Sequence, residues 1–263
     1  PLEEATRTLR ESPPYRELKS QLGEVARLPL PAAAFVFEIL ARELGRPLLV
    51  LVPHEVDAYA WLEASRLFAP EGSPSACYFP APSLSPFQEA EASLVVRAEE
   101  SRALDAIARG AIRTVVTTPR ALFRRLPTAR DFAGARLDLE VEDEVAQDDL
   151  VDHLLRWGYR RSDLVFEIGQ FAVRGGVFDL FPPGCDLPVR LDFFGDTIDS
   201  IRSFEPESQR SHESMPRLEV LPLSLFPAGQ EQAERLADAL ADAAGPQPSA
   251  AVSERLASLR DGG

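Results

Sequence analysis

The chain has 263 residues, 45% of them hydrophobic, and a formal net charge of −14. That length supports one large domain or two modest ones with their own cores, and the apolar content excludes wholesale disorder. The charge argues against nonspecific nucleic-acid binding, which relies on Lys and Arg displacing phosphate counterions. No apolar run approaches the ~20 residues of a bilayer span.

Cys77 and Cys185 have no CxxC or His-rich neighbours and read as small thiols in a reducing cytosol, so a cytoplasmic location is expected. The start at Pro1 without a methionine, and the end on Gly262-Gly263 after a helix-like segment, read as the marks of a fragment.

Residues 1–28 read as helix or loop with a proline break at Pro13-Pro14, and Leu28 to Pro31 makes a turn. Phe35, Phe37, Ile39 and Leu40 predict a helix over Ala32–Leu44, with Gly45 where a C-terminal cap belongs. Pro47 to Pro53 is a continuous apolar run of strand length, predicted to be buried on both faces. Trp61, Leu62, Ser65 and Phe68 return to helical spacing over Asp57–Phe68. A proline-rich stretch, Pro80 to Pro86, leads into a polar helix around Glu89–Arg109. Ile112–Thr118 is a second buried-type strand. Strand and helix alternate, which favours a parallel α/β sheet.

The character changes near Gly134. Leu137–Glu142 alternates as a half-buried strand does, and Asp149–Trp157 is a short helix with Leu150, Val151, Leu154 and Leu155 in one stripe, ended by Gly158. Residues 169–204 carry short strands separated by turns at Pro182-Pro183-Gly184 and Gly195-Asp196. The latter pair is a two-residue hairpin signal. A strand-rich domain is placed at 135–222, after a first domain at 1–134. An alanine-rich helix, Glu231–Ala244, opens a flanking segment at 223–263. The expected fold class is α/β, a parallel-sheet domain followed by a strand-rich α+β domain.

The chemistry that is missing narrows the function. A P-loop needs Gly-x-x-x-x-Gly-Lys-Ser/Thr, yet Lys19 is the sole lysine and no glycine-rich loop precedes it. His54-Glu55 and His212-Glu213 both lack the second histidine of a zincin helix. There is no Gly-x-Ser-x-Gly elbow and no dinucleotide fingerprint. His153 reads as a surface or satisfied residue, and the acids between Asp138 and Asp152 as solvated. Asp192, Asp196 and Asp199 cluster at one hairpin without a visible second shell. No catalytic residue, cofactor or metal is expected.

The most informative stretch runs from Gly169 to Arg202. Strand alternation puts Val189, Leu191 and Phe193 on a core face and Arg190, Asp192 and Phe194 on the other. Two charges beside a large aromatic is a composition typical of interface hot spots. Arg174 precedes Gly175-Gly176, where a bulge or close backbone approach aims its guanidinium to the same side. The pattern leaves two readings open. Either Arg174, Arg190 and Phe194 form a docking surface, or Phe194 caps a second small cluster and both arginines pair with nearby acids.

The runs FAVRGGVFDLFPPG (171–184) and PVRLDFFGDTIDSIRSFEPESQRS (188–211) resemble the second domain of the UvrB-homology module of bacterial transcription-repair coupling factors. GRPLLVLVPHEVDAYAWLEASRLF (45–68), FPAPSLSPFQ (79–88) and IRTVVTTPRALFRRLP (112–127) are similar to its degenerate RecA-like domain. The likeness spans roughly residues 25–227. It implies a first domain related to UvrB domain 1A but without its ATP site, a second domain that docks on UvrA, and the start of a 1B-like domain. Carried onto matching positions, it implies that Arg174, Arg190 and Phe194 contact UvrA. It further implies a non-catalytic recruitment role in nucleotide excision repair, in the bacterial cytoplasm, with little direct DNA binding. RNA polymerase would be reached only through the rest of a parent chain carrying a translocase. The resemblance also implies that the parent's own C-terminal region would be a second, autoinhibitory partner. The rival is a UvrB-like helicase subunit that binds DNA and ATP. Against it stand the missing P-loop around Gly23–Pro31 and the missing tyrosine-rich hairpin, since Tyr78 is the one tyrosine in the corresponding region.

Overall fold

The computed structural model describes residues 2–21, 28–68, 76–81, 93–245, 249, 252–253 and 256–257. The chain divides into two compact units, Pro1–Ala129 and Arg130–Gly263.

The first unit is a three-stranded parallel sheet with helices. Its helices are α1 (Leu2–Glu11), α2 (Pro13–Ser20), α3 (Leu30–Leu44), α4 (Glu55–Arg66) and α5 (Leu94–Ala108). Its strands are β1 (Leu48–Leu51), β2 (Ala76–Phe79) and β3 (Thr114–Thr117), in the order β1-β3-β2. Pro13-Pro14 does break the chain, because a proline suits the first turn of α2 and no helix interior. Gly45 ends α3 at φ 62°, a left-handed position that a side chain disfavours. Ala34, Ala58, Trp61, Ala64, Tyr78 and Val116 make the core between α3, α4 and the sheet. A second cluster joins Tyr15 of α2 to Ile39 and Leu40 of α3.

β1 departs from its expected double burial. Val50 packs into the core, whereas Leu49 and Leu51 are 52% and 51% exposed. β1 is an edge strand here, and the cluster on that side (Phe79, Ala103, Ala121, with Cys77 and Val115) lies over β2 and β3 instead. The sequence reading also missed β2, whose four residues have no alternation to betray them. The expected helix around Glu89–Arg109 begins at Leu94, after Ser93 at its N-cap, and ends at Ala108; residues 89–92 of that expectation lie outside the described residues, as does most of the Pro80–Pro86 stretch.

The second unit opens with α6 (Ala129–Ala135), β4 (Leu137–Glu140) and α7 (Gln147–Arg156). A six-stranded sheet follows, built from β5 (Arg160–Arg161), β6 (Gln170–Arg174), β7 (Val177–Leu180), β8 (Val189–Phe194), β9 (Thr197–Phe204) and β10 (Ser211–Ser214) in spatial order β10-β9-β8-β7-β6-β5. β11 (Arg217–Val220) returns to pair antiparallel with β4, and α8 (Gln230–Ala244) follows. The strand expected over Leu137–Glu142 ends at Glu140, because Glu142 turns the backbone at φ 77°. In α7 the stripe is narrower than expected. Leu150 and Leu154 are buried, while Leu155 is 46% exposed.

Phe171, Phe178, Leu180, Val189, Leu191, Ile198 and Ile201 are all buried in the core face of the large sheet. Phe171 and Phe178 stack at 5.8 Å, and fully burying one such ring stabilises by roughly 2–3 kcal/mol. Ile198 and Ile201 are three apart, a spacing that a regular strand sends to opposite faces. The register shift between Asp192 and Phe193 absorbs the odd residue, so Leu191 pairs with Ile201 and Phe193 with Ile198. No described helix is long and apolar enough to cross a membrane.

Candidate functional site

Two glycine turns shape the far face of this sheet. Gly175 and Gly195 are the first loop residues of the β6–β7 and β8–β9 hairpins, at φ 60° and 64°. A positive φ at the first loop residue is what a two-residue hairpin loop of the primed kind requires. Gly176 is needed for a different reason. A Cβ there would lie 2.9 Å from the Phe193 carbonyl oxygen, and the Phe193 N–H donates to the Gly176 carbonyl at 2.7 Å. The close approach is present, and the pair forms a turn, not a bulge.

The tight β6–β7 turn pairs Arg174 with Val177 and therefore Ala172 with Asp179. β8 runs beside β7 with Arg190 opposite Asp179. Arg174, Asp179 and Arg190 thus share one face, and all three meet. Asp179 is 1% exposed. Its Oδ1 accepts from Arg190 Nε at 2.6 Å, and its Oδ2 accepts from Arg190 Nη2 at 2.9 Å and Arg174 Nη2 at 2.6 Å. A fork-to-fork grip on Arg190 plus a third donor satisfies a carboxylate that would otherwise be costly to bury. The hydrogen bonds that Arg190 donates to Asp179 hold its guanidinium above the usual arginine range, with burial opposing.

Arg190 is fixed from two more sides. Its guanidinium lies 4.6 Å over the ring of Phe204. Its Nη2 and Nη1 also donate to the Gln209 side-chain and backbone oxygens at 3.2 and 3.4 Å. Gln209 sits at φ 58°, unusual for a non-glycine residue, and its own amide donates to the Pro206 carbonyl at 2.7 Å. Beside this group, Asp192 accepts from Ser200 at 2.7 Å and from Arg202. Burial pushes the Asp192 carboxyl up, but Ser200 and Arg202 outweigh it and leave the group below the usual aspartate range. Three guanidinium groups face two carboxylates, leaving one net positive charge.

The second of the two sequence readings is met only in part on this face. Both arginines do pair with an acid, and a second small cluster does exist, around Val165, Ala172, Phe181 and Phe204. Phe194 does not cap it. It ends β8 at 84% exposure, the large aromatic of a free surface. Val189 and Leu191 are fully buried, and Phe193 is half-buried with its ring 6.4 Å from Phe178. Arg190 and Phe194 are four strand residues apart, about 13 Å by strand rise. Arg174 is the more open arginine, with 45% of its side chain exposed against 16% for Arg190.

The residue that sequence reasoning missed is Asp179. Its signal was readable, because a two-residue turn at Gly175-Gly176 alone puts Asp179 on the face of Arg174. Asp192 is occupied by Arg202 and Ser200, and no group of three or more potential metal ligands occurs among the described residues. His153 is half-buried on α7 with Nε2 3.0 Å from the Ala135 carbonyl. Both cysteines are free and half-buried, and burial pushes the Cys77 thiol up to about 11.

Residues 137–226 match the family model of the UvrB interaction domain, a span that takes in this face and all six strands around it. The chain is 33% identical over 235 residues to a transcription-repair-coupling factor of Myxococcus xanthus, covering 85% of this chain and 20% of that protein. It is 30% identical over 208 residues to the Bacillus subtilis factor of the same name, covering 79% and 17%. The UvrABC system protein B of Bifidobacterium longum is 33% identical over 138 residues, covering 52% of this chain and 18% of that protein. The chain therefore spans about a fifth of the length of these curated relatives.

Proposed function

For a chain that belongs to the UvrB-homology modules of bacterial transcription-repair coupling factors, we propose that its work is recruitment, by docking on UvrA through the face that carries Arg174, Arg190 and Phe194. The observation that supports this most is Phe194. An aromatic ring 84% exposed at a strand end, beside ordered arginines, is an interface anchor without a role in its own fold. The module itself would be non-catalytic. Without a Gly-Lys-Ser/Thr loop, no lysine reaches the terminal phosphates of ATP.

The functional segments belong to the same proposal: a degenerate RecA-like part at 1–134, the docking part at 135–222, and the start of a flanking part at 223–263. Displacing a stalled RNA polymerase would fall to the longer chain that such relatives have. That chain's C-terminal region would be the autoinhibitory competitor for the same face.

Pull-down of purified UvrA with this chain, run beside ATP calorimetry, tests the reading. Capture of UvrA without ATP binding is expected. Saturable micromolar ATP binding, or tight duplex-DNA binding at physiological salt, would return the UvrB-like helicase reading.

A further inference from the structure

We infer that Asp179 is a positioning residue for this docking face: it orders two guanidinium groups before any partner arrives and leaves Arg174 open to a carboxylate of the partner. The inference rests on the docking reading above. Its own evidence is the geometry around Asp179, a group no resemblance singled out. A 1% exposed carboxylate takes three charge-assisted hydrogen bonds from two arginines on neighbouring strands. Arginine side chains lose much rotamer freedom when they are immobilised. Ordering them during folding removes that cost from the binding step.

The two arginines end in different states. Arg190 spends its nitrogens on Asp179 and Gln209 and keeps little surface. Arg174 donates to Asp179 through Nη2, and 45% of its side chain stays exposed, so N–H donors remain on this guanidinium for a partner. Exposed N–H donors with one net positive charge suit a partner Asp or Glu, and Phe194 suits an apolar pocket beside it. The expected occupant is therefore an acidic patch with an adjoining hydrophobic hollow.

Removing Asp179 has two opposed effects on binding. It adds one positive charge, which favours an acidic partner but is screened at the surface by salt. It also frees both guanidinium groups to wander. At about 0.5 M salt the screening length is roughly 4 Å, so the ordering effect decides the outcome there.

The test is the affinity of Asp179→Asn for UvrA at physiological and at about 0.5 M salt, with the melting temperature of each preparation. Affinity lower than wild type by about tenfold or more at the higher salt, in a chain still folded at the assay temperature, is expected. Wild-type affinity from a folded but less stable Asp179→Asn chain would make Asp179 a purely structural group and overturn the proposal.

If the variant does not fold, arginine side-chain exchange in the free wild-type chain decides. The Arg190 Nε proton should exchange at least tenfold more slowly than that of exposed Arg210. Equal rates would show that the arginines are not ordered in advance. Phe194→Ala separates the layers: if it and wild type bind UvrA alike, the docking reading fails. If Phe194→Ala loses binding while Asp179→Asn keeps it, only the positioning role fails.

Discussion

Each unit buries an acid against arginine, and the two sites differ in stoichiometry. In the first unit Glu100, on α5, takes a single salt bridge from Arg124 at 2.8 Å, and Arg124 lies 4.9 Å over Phe79. Burial leads there, raising the Glu100 carboxyl above the usual glutamate range against the pull of Arg124. In the second unit Asp179 is more deeply buried and is held by two arginines. One acid bridged by one arginine ties α5 to the segment after β3. One acid with two arginines leaves a charge over, and that surplus faces outward at a strand end beside a bare aromatic. Buried ion pairs by themselves therefore say little about function. The uncompensated remainder and its surroundings do.

The largest expected effect breaks the two-arginine site. Arg190→Ala leaves Asp179 with Arg174 alone and strips the cation from Phe204, so the second unit should lose about 2–4 kcal/mol in chemical denaturation. Arg174→Ala, at a half-open side chain, should cost less than half as much while still weakening UvrA binding.

Next comes the one-arginine site. Because the fold already disfavours ionised Glu100, Glu100→Gln should cost the first unit less than about 1 kcal/mol at neutral pH. A loss as large as that of Arg190→Ala would erase the distinction between the sites.

Acidification should separate the units in the same sense. A carboxyl raised in the folded state binds its proton more tightly there. Glu100 thus adds stability as pH falls through its raised folded value toward the ordinary glutamate value near 4.3. His153 behaves oppositely, since burial lowers it, and its contribution is lost as pH falls through the ordinary histidine value near 6.5. Asp138 and Asp192 extend that loss at lower pH. Burial pushes each up and is outweighed by hydrogen-bond partners, Arg217 and Arg136 for Asp138, Ser200 and Arg202 for Asp192. Glu43, lowered chiefly by Lys19, pulls the first unit the other way, so Glu100→Gln is the control. Amide exchange read separately in each unit from pH 7 to about 5 should show the second weakening. In the first, the acid-range gain should shrink in Glu100→Gln, with the remainder coming from Glu99, whose carboxyl is raised by burial and by Glu55.

The periodic helices and the hairpins were legible because their rules are local. Gly45, Gly158 and Gly195 mark ends and turns by conformation alone, and β8 shows its faces by alternation. What was not legible depended on neighbours far along the chain. The double burial expected for Leu48–Leu51 fails because nothing local says that β1 is an edge strand. β4 pairs with β11, some eighty residues on, which no spacing announces. At the candidate site, alternation found Arg190 and Phe194, but the partner of Arg190 comes from the strand-to-strand register of β7 and β8. Asp179 looks like an interruption of a hydrophobic run, Val-Phe-Asp-Leu-Phe, and only counting through the turn at Gly175-Gly176 puts it on the face of Arg174, at the centre of the site.

The most direct measurement is a calorimetric titration of UvrA into wild-type chain and into Phe194→Ala, with the melting temperature taken on the same samples. The account predicts a weakening of about 2 kcal/mol, roughly thirtyfold in Kd, with the melting temperature unchanged within about 2 °C. Equal affinities would place the docking surface elsewhere, and a large fall in melting temperature would make Phe194 part of a core.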